Sequence, residues 1–341
     1  MTMTERAKMN ETTTPAASLP IIAVMVGDPA GIGPEVAVKA AADASVRAVC
    51  RPLLIGDIAS IQAAARAVPL PDEAELMHSF DKGAFASGRI VVLDPLDLAP
   101  HEYATGQPSA AAGRAVVRWM ALADRIAHDG LIGGWIMGPV DSTSLRLAGE
   151  VASIDDLQPD DTYMFRMSGK LRVVPLTEHI PLREVPATVT FDAVLNLVTL
   201  VNGRLKDWGI EAPRIGVAGL NPHAMFEEEA RIIGPAVEQA RGQGIDVRGP
   251  VSPDSVFRHG LDGRYDAVVS MYHDQGQIAL KSAAFEGACT LYLGVPYVRA
   301  TVPHGTAMDI AGKNLAQHRS MAAALRTAAA LAAKRGFLNE Q

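Results

Sequence analysis

The sequence predicts an α/β protein with mostly parallel strands, and three observations carry that reading. Short, continuous, β-branched apolar runs recur along the 341 residues, helical stretches long enough for a crossover separate them, and residues with reactive side chains fall just past the runs. Continuous apolar strands are buried on both faces, as a sheet covered by helices requires. Hydrophobic residues make up 48% of the chain and charged residues 20%, the balance of a folded globular enzyme. The length suggests two domains, each able to bury a core.

The elements follow in order. Residues Met1 to Leu19, rich in Thr, Ala and charge, read as a loose tail without a secretory apolar core. Strands are predicted at Ile21–Val26, Pro52–Ile55, Ile90–Leu93, Leu131–Met137, Leu171–Leu176, Ile215–Gly219, Ala267–Met271 and Thr290–Leu293. Pro34–Ala44, Ala110–His128, Phe191–Trp208 and Glu227–Arg241 carry Ala, Leu, Val and charges at helical spacing, and Met321–Lys334 closes the chain as an Ala-rich helix. A hinge is expected near Gly138-Pro139-Val140, because the stretch from there to Asp161 is polar and acidic.

Composition excludes several classes of function. Lys plus Arg is 31 against 38 Asp plus Glu, a net charge of −7, so no bulk attraction to nucleic acid or an anionic membrane is expected. Without an apolar run of about eighteen residues, no membrane span is expected. Cys50 and Cys289 are the only cysteines and form no Cys-x-x-Cys pair, which argues against thiolate metal sites and disulfides and fits a reducing cytoplasm.

In open parallel sheets, ligands bind outside the carboxyl ends of the strands. Three histidines stand there: His179 in Thr-Glu-His, His223 in Leu-Asn-Pro-His and His273 in Tyr-His-Asp-Gln-Gly, separated by 44 and 50 residues. Taken singly, each suits a hydrogen-bonded loop residue; together, neutral imidazoles from three strand ends suit Zn²⁺ or a similar divalent ion with a position open for substrate. Gly27-Asp28-Pro29-Ala30-Gly31-Ile32-Gly33-Pro34-Glu35 opens a helix straight after the first strand, either as a phosphate-contacting loop or as a tight turn. It matches neither the Walker pattern nor Gly-x-Gly-x-x-Gly. In the run from Val302 to Lys313, Gly305 allows close backbone approach, while Thr306 and Asp309 offer a hydroxyl and a carboxylate to ribose or phosphate; the alternative is a capped loop. Lys281 and Arg299 flank the Thr290 strand and suit an anionic substrate, or are ordinary surface cations.

As a set, Gly-Asp-Pro-Ala-Gly-Ile-Gly-Pro-Glu, Leu-Asn-Pro-His, Tyr-His-Asp-Gln-Gly and His304-Gly305-Thr306-Ala307 resemble the 4-hydroxythreonine-4-phosphate dehydrogenase family of pyridoxal phosphate biosynthesis, over about residues 20–335. The resemblance implies a homodimeric, metal-dependent NAD or NADP enzyme with two α/β/α domains and its active site in the interdomain cleft at the dimer interface. The segment His304–Lys313 is similar to the adenosine loop of isocitrate and isopropylmalate dehydrogenases, whose architecture the family shares. Implied domains are residues 20–140 plus 300–341 for nucleotide and 141–299 for metal, substrate and dimerisation. The family's metal ligands fall on His179, His223 and His273, holding Zn, or Ni, Co, Mg or Mn. Its substrate contacts fall on Lys281, Thr290 (an Asn in the family) and Arg299, its nucleotide contacts on His304, Gly305, Thr306 and Asp309, and its acidic catalytic residues on Asp254 and Asp274 beside Lys281.

The chain also departs from the family. The Gly-His-Thr-Glu motif that contacts the phosphorylated substrate has no counterpart between Gly149 and Leu171, where Asp155, Asp156, Asp160 and Asp161 stand instead. The Lys after Gly138-Pro139-Val140 is replaced around Asp141-Ser142, and the glycine-rich insertion after Asn-Pro-His is absent. An acidic lip suits a phosphate dianion poorly, so the expected substrate lies outside vitamin B6 synthesis; the resemblance implies an anionic hydroxy acid, whether 4-phosphohydroxythreonine-like, a phosphorylated tetronate or a cis-diol carboxylate, with decarboxylation of the product. The competing expectations are a catalytically silent binding protein and a metal-dependent hydrolase.

Overall fold

The computed structural model describes residues 19–66, 74–151, 154–283 and 289–337, so all of the expected N-terminal tail except Leu19 lies outside them. In chain order the strands are β1 (Ile21–Met25), β2 (Arg51–Ile55), β3 (Glu75–Met77), β4 (Val91–Leu93), β5 (Gly134–Met137), β6 (Tyr163–Ser168), β7 (Leu171–Pro175), β8 (Arg214–Ala218), β9 (Asp246–Val251), β10 (Ala267–Ser270), β11 (Cys289–Leu293) and β12 (Val298–Thr301). All twelve join one sheet in the order β3-β4-β2-β1-β5-β12-β11-β6-β7-β10-β8-β9.

Strand direction decides where loops emerge. β1 to β5 and β12 run parallel to one another. β11 is antiparallel to both β12 and β6, and β6 is antiparallel to β7. β7, β10, β8 and β9 are again mutually parallel, but run opposite to the first group. Loops after β7, β8 and β10 therefore share one rim, whereas the loops after β1, β5 and β12 leave the other end of the ladder.

The helices that cover the sheet are built as their sequence periodicity predicts. Ala110–His128 begins where Ser109 Oγ accepts the Ala112 amide at 3.1 Å and buries Ala112, Val116, Trp119, Ala123 and Ile126, one stripe at helical spacing. Phe191–Asp207 is capped by Thr190 and buries Val194, Leu197, Val198, Val201 and Leu205. Arg319–Ala332 packs its alanines against the sheet, where small side chains permit close approach.

All eight predicted runs contain strands, and among the described residues four further strands lie outside those runs. β6 and β12 carry Arg166 and Arg299 mid-strand, β9 carries Arg248, Gly249 and Pro250, and β3 has only three residues. Each charge or breaker interrupts the apolar run that marks a buried strand. Arg299 is nonetheless only 2% exposed. Its guanidinium donates to Asp124 at 3.3 Å and to the Leu157 carbonyl at 2.8 Å, and lies 4.7 Å from the ring of Trp135 and 4.8 Å from that of Tyr292. A buried charge is tolerable only with such partners.

The loop after β1 is held by close backbone approach. Gly27 has φ +86°, and a Cβ there would lie 2.2 Å from the Pro139 carbonyl oxygen, a contact with backbone that cannot swing away. Gly27→Ala is expected to cost at least about 3 kcal/mol of unfolding free energy. Gly88→Ala, at φ +71° with nothing within 4 Å, should cost about 1–2 kcal/mol. Urea denaturation of the two variants measures the difference.

Candidate active site

His179, His223 and His273 all emerge from the rim shared by β7, β8 and β10. The structure brings two of them together, with the ring centroids of His179 and His273 5.0 Å apart. Each is oriented by a carboxylate at Nδ1: Asp155 Oδ1 at 3.0 Å from His179 and Asp274 Oδ1 at 2.7 Å from His273. An Nδ1–H donating to a carboxylate leaves the Nε2 lone pair for a metal, the usual outer support of a histidine ligand. Glu178 completes the group: one ligand atom each from Glu178, His179 and His273 lie within 4.8 Å of one another. Two imidazoles and one carboxylate suit a divalent ion of the Zn²⁺ type.

His223 is exposed and outside that group. Its backbone is left-handed, φ 56°, and so is that of Ala224. Glu229 anchors the loop, accepting the Asn221 amide at 2.7 Å, the Asn221 side chain at 3.1 Å and the Phe226 amide at 3.1 Å. Burial raises the Glu229 pKa, but the Asn221 donors outweigh it and hold the carboxyl below its ordinary range. Asp254 lies near His223, its carboxyl held low by the Ser252 and Ser255 hydroxyls, at 2.6 and 2.9 Å.

Of the two cations expected to grip an anion, Lys281 is exposed, near the end of helix His273–Ala283. Arg299 is the internally paired residue described above. Thr290 sits half-buried on β11, directly opposite Arg166 of β6. Arg166 and Glu178 carry no sequence motif of their own, and they form a two-pronged ion pair, Nη1–Oε1 2.8 Å and Nη2–Oε2 2.7 Å. An arginine inside an otherwise apolar strand, a few residues before a Glu-His pair, was the available signal.

At the opposite rim, a cavity of about 730 Å³ is lined by Ile32, His304, Gly305, Ala307, Ile310 and His318, among others. Thr306 is buried behind its wall, and Asp309 is not among the lining residues. The glycine-rich loop after β1 serves as its backing. The Ile32 amide donates to the Thr306 carbonyl at 2.9 Å, and a Cβ on Gly31 would meet Thr306 Cβ at 2.8 Å. Glu35 accepts the Ala316 amide at 2.9 Å, and Lys39 donates to the Ala316 carbonyl at 2.7 Å. Of the two readings of that loop, these contacts favour the packed turn.

The fold and this site define an α/β enzyme with a candidate divalent-metal centre and a separate cavity at the opposite rim. The family model for pyridoxal phosphate biosynthetic protein PdxA matches residues 48–328. D-threonate 4-phosphate dehydrogenase of Cupriavidus necator is 39% identical over 331 residues, covering 93% of this chain and 98% of that protein. The crystal structure of a 4-hydroxythreonine-4-phosphate dehydrogenase from Burkholderia phymatum matches with a TM-score of 0.81 at 35% identity, over 92% of this chain and 99% of that one. A terephthalate 1,2-cis-dihydrodioldehydrogenase from Burkholderia xenovorans LB400 matches with a TM-score of 0.68 at 29% identity, over 94% and 99%. The chain belongs to the PdxA family.

Asp28, in the loop after β1, is fully buried; burial raises its pKa above the ordinary 3.8, and nearby Asp141 adds to the rise. A raised folded-state pKa means that the native protein holds this proton more tightly than the unfolded chain, so stability falls as pH rises through that pKa. Asp28→Asn should therefore raise the melting temperature at pH 7, and the gain should shrink toward zero as pH falls to 3.8. Thermal melts across that interval measure it.

Proposed function

We propose that this PdxA-family dehydrogenase oxidises a secondary alcohol of a small anionic hydroxy acid, with a divalent ion and NAD or NADP as its cofactors. The observation that carries the reading is the pair His179–His273, each ring fixed by its own carboxylate. His179, His223 and His273 would hold the ion, and the cavity walled by His304 and Gly305 would hold the nucleotide. When bound, the ion supplies a Lewis acid beside the alcohol and the nicotinamide a hydride acceptor.

The chain's own residues do the rest. Lys281 holds the substrate anion and sets which hydroxyl faces the histidines. Asp274 is committed to His273, which leaves Asp254 as the carboxylate to accept the hydroxyl proton; its two serine partners keep it ionised. Where the product is a β-keto acid, CO2 is lost without a further cofactor.

Two features support a homodimer with the site between protomers. The histidine loops and the nucleotide cavity leave opposite ends of one ladder, so a second copy is the simplest way to bring them together. Exposed Ile180, Leu182, Met225, Phe226 and Ile278 all come from the segments that carry the three histidines, and exposed apolar clusters mark association surfaces. For compartment, no single described helix is long and apolar enough to cross a membrane.

The relatives' names leave three substrate classes: 4-phosphohydroxythreonine, a phosphorylated tetronate and a cis-diol carboxylate. Asp155 beside His179, with no Gly-His-Thr-Glu motif in this stretch, supports a substrate other than 4-phosphohydroxythreonine. The test is NAD(P)H absorbance on metal-replete enzyme against all three classes. Turnover confined to the second or third class, and lost in His273→Ala, is expected. Strong turnover of 4-phosphohydroxythreonine would refute the substrate reading, and full activity of His273→Ala would refute the metal reading.

A further inference from the structure

Resting on the metal-centre reading above, we propose that Glu178 is itself a ligand of the ion, a carboxylate held in place by Arg166. The donor set is then two imidazoles and a carboxylate from the β7 and β10 loops, joined by His223 from the β8 loop.

The geometry carries this in three steps. Glu178 offers an oxygen within 4.8 Å of the ligand atoms of both His179 and His273; ligand atoms on one tetrahedral ion stand about 3.3–3.6 Å apart, so side-chain movements of about 1 Å bring all three onto it. Adjacency to His179 in sequence would not by itself bring the Glu178 carboxylate to His273, ninety-five residues away. The carboxylate is also fixed rather than floating. Arg166 grips both oxygens, and Arg166 stands on β6, paired with Thr290 of β11 on one side and Val173 of β7 on the other. Finally, the grip leaves capacity for an ion. A carboxylate has about four lone-pair sites, and two parallel N–H bonds use two of them.

The arrangement has a chemical consequence. Arg166 cancels the charge of Glu178, so the pair is neutral before the ion arrives; its side chains are 9% and 20% exposed, which a lone carboxylate would resist. An oxygen donor among imidazoles makes the site more hospitable to oxygen-preferring ions such as Mn²⁺ than three histidines alone. It also makes the bound ion a milder Lewis acid than a purely imidazole set would.

The test is Co²⁺ and Mn²⁺ binding by full-length protein, followed by calorimetry and by the visible absorption of the Co²⁺ form. Glu178→Gln is expected to weaken Co²⁺ binding at least tenfold, to alter the visible bands, and to weaken Mn²⁺ binding more than Co²⁺ binding. Because Glu178→Gln strands the Arg166 charge, the double variant Arg166→Met/Glu178→Gln removes the pair together and should show the same losses. Arg166→Met alone should weaken binding while keeping the band shape, since the ligands persist. Wild-type affinity and bands in the double variant would overturn the proposal. His273→Ala separates the two levels of the reading. If it loses the metal while the double variant does not, only the role of Glu178 falls; if it too binds normally, the metal centre itself is misplaced.

Discussion

The structure depends on a reversal of strand direction at the middle of its sheet. β11 is antiparallel to both β12 and β6, and β6 is antiparallel to β7, so two parallel groups of strands share one backbone ladder while facing opposite ways. Backbone pairing makes this junction stiff, and Arg299 locks it from one face by gripping Asp124 and the Leu157 carbonyl. Asp124 also accepts the Trp135 indole N–H at 2.9 Å and the Tyr297 hydroxyl at 2.5 Å. A charged residue at the centre of a sheet is costly, and these partners offset part of that cost, although Arg299 Nε is left without a hydrogen bond.

From that junction the two functional regions follow. β12 leads directly into the segment beginning at His304, and the helix from His273 ends a few residues before β11. The loop at one rim is backed by the turn after β1, in which a buried carboxylate and several close glycines leave no room for side-chain adjustment. At the other rim, polar contacts hold each histidine: Asp155 and Asp274 fix two rings, and Glu229 fixes the loop that presents the third. Rigid support for candidate ligands is what a metal site requires, because a misplacement of about 1 Å is costly in catalysis.

Much of this was legible in the sequence. Strands made only of apolar residues announced themselves, and the position of histidines just past them pointed to a common rim, since β7, β8 and β10 are neighbours running the same way. The β6 and β12 strands were hidden because their arginines break the apolar pattern, and those arginines are the residues that tie the junction and the candidate metal site to the sheet. The acidic stretch near Asp155 read as a lip repelling phosphate; in the structure Asp155 is also the partner of His179, a pairing twenty-four residues apart that periodicity cannot reveal. Direction reversal was likewise invisible, because parallel and antiparallel neighbours differ in connection rather than composition. Glu178 is an ordinary loop glutamate until the fold sets it beside His273.

If His179 and His273 belong to a divalent-ion site, ligand-linked stability reveals it, because an ion that binds only the folded chain must raise its melting temperature. Chelator-dialysed protein should melt at progressively higher temperature as Zn²⁺ is added, whereas the His179→Ala/His273→Ala double variant should show no such rise. An unmoved wild-type melting temperature, or an equal rise in the double variant, would rule out an ion site at these two histidines.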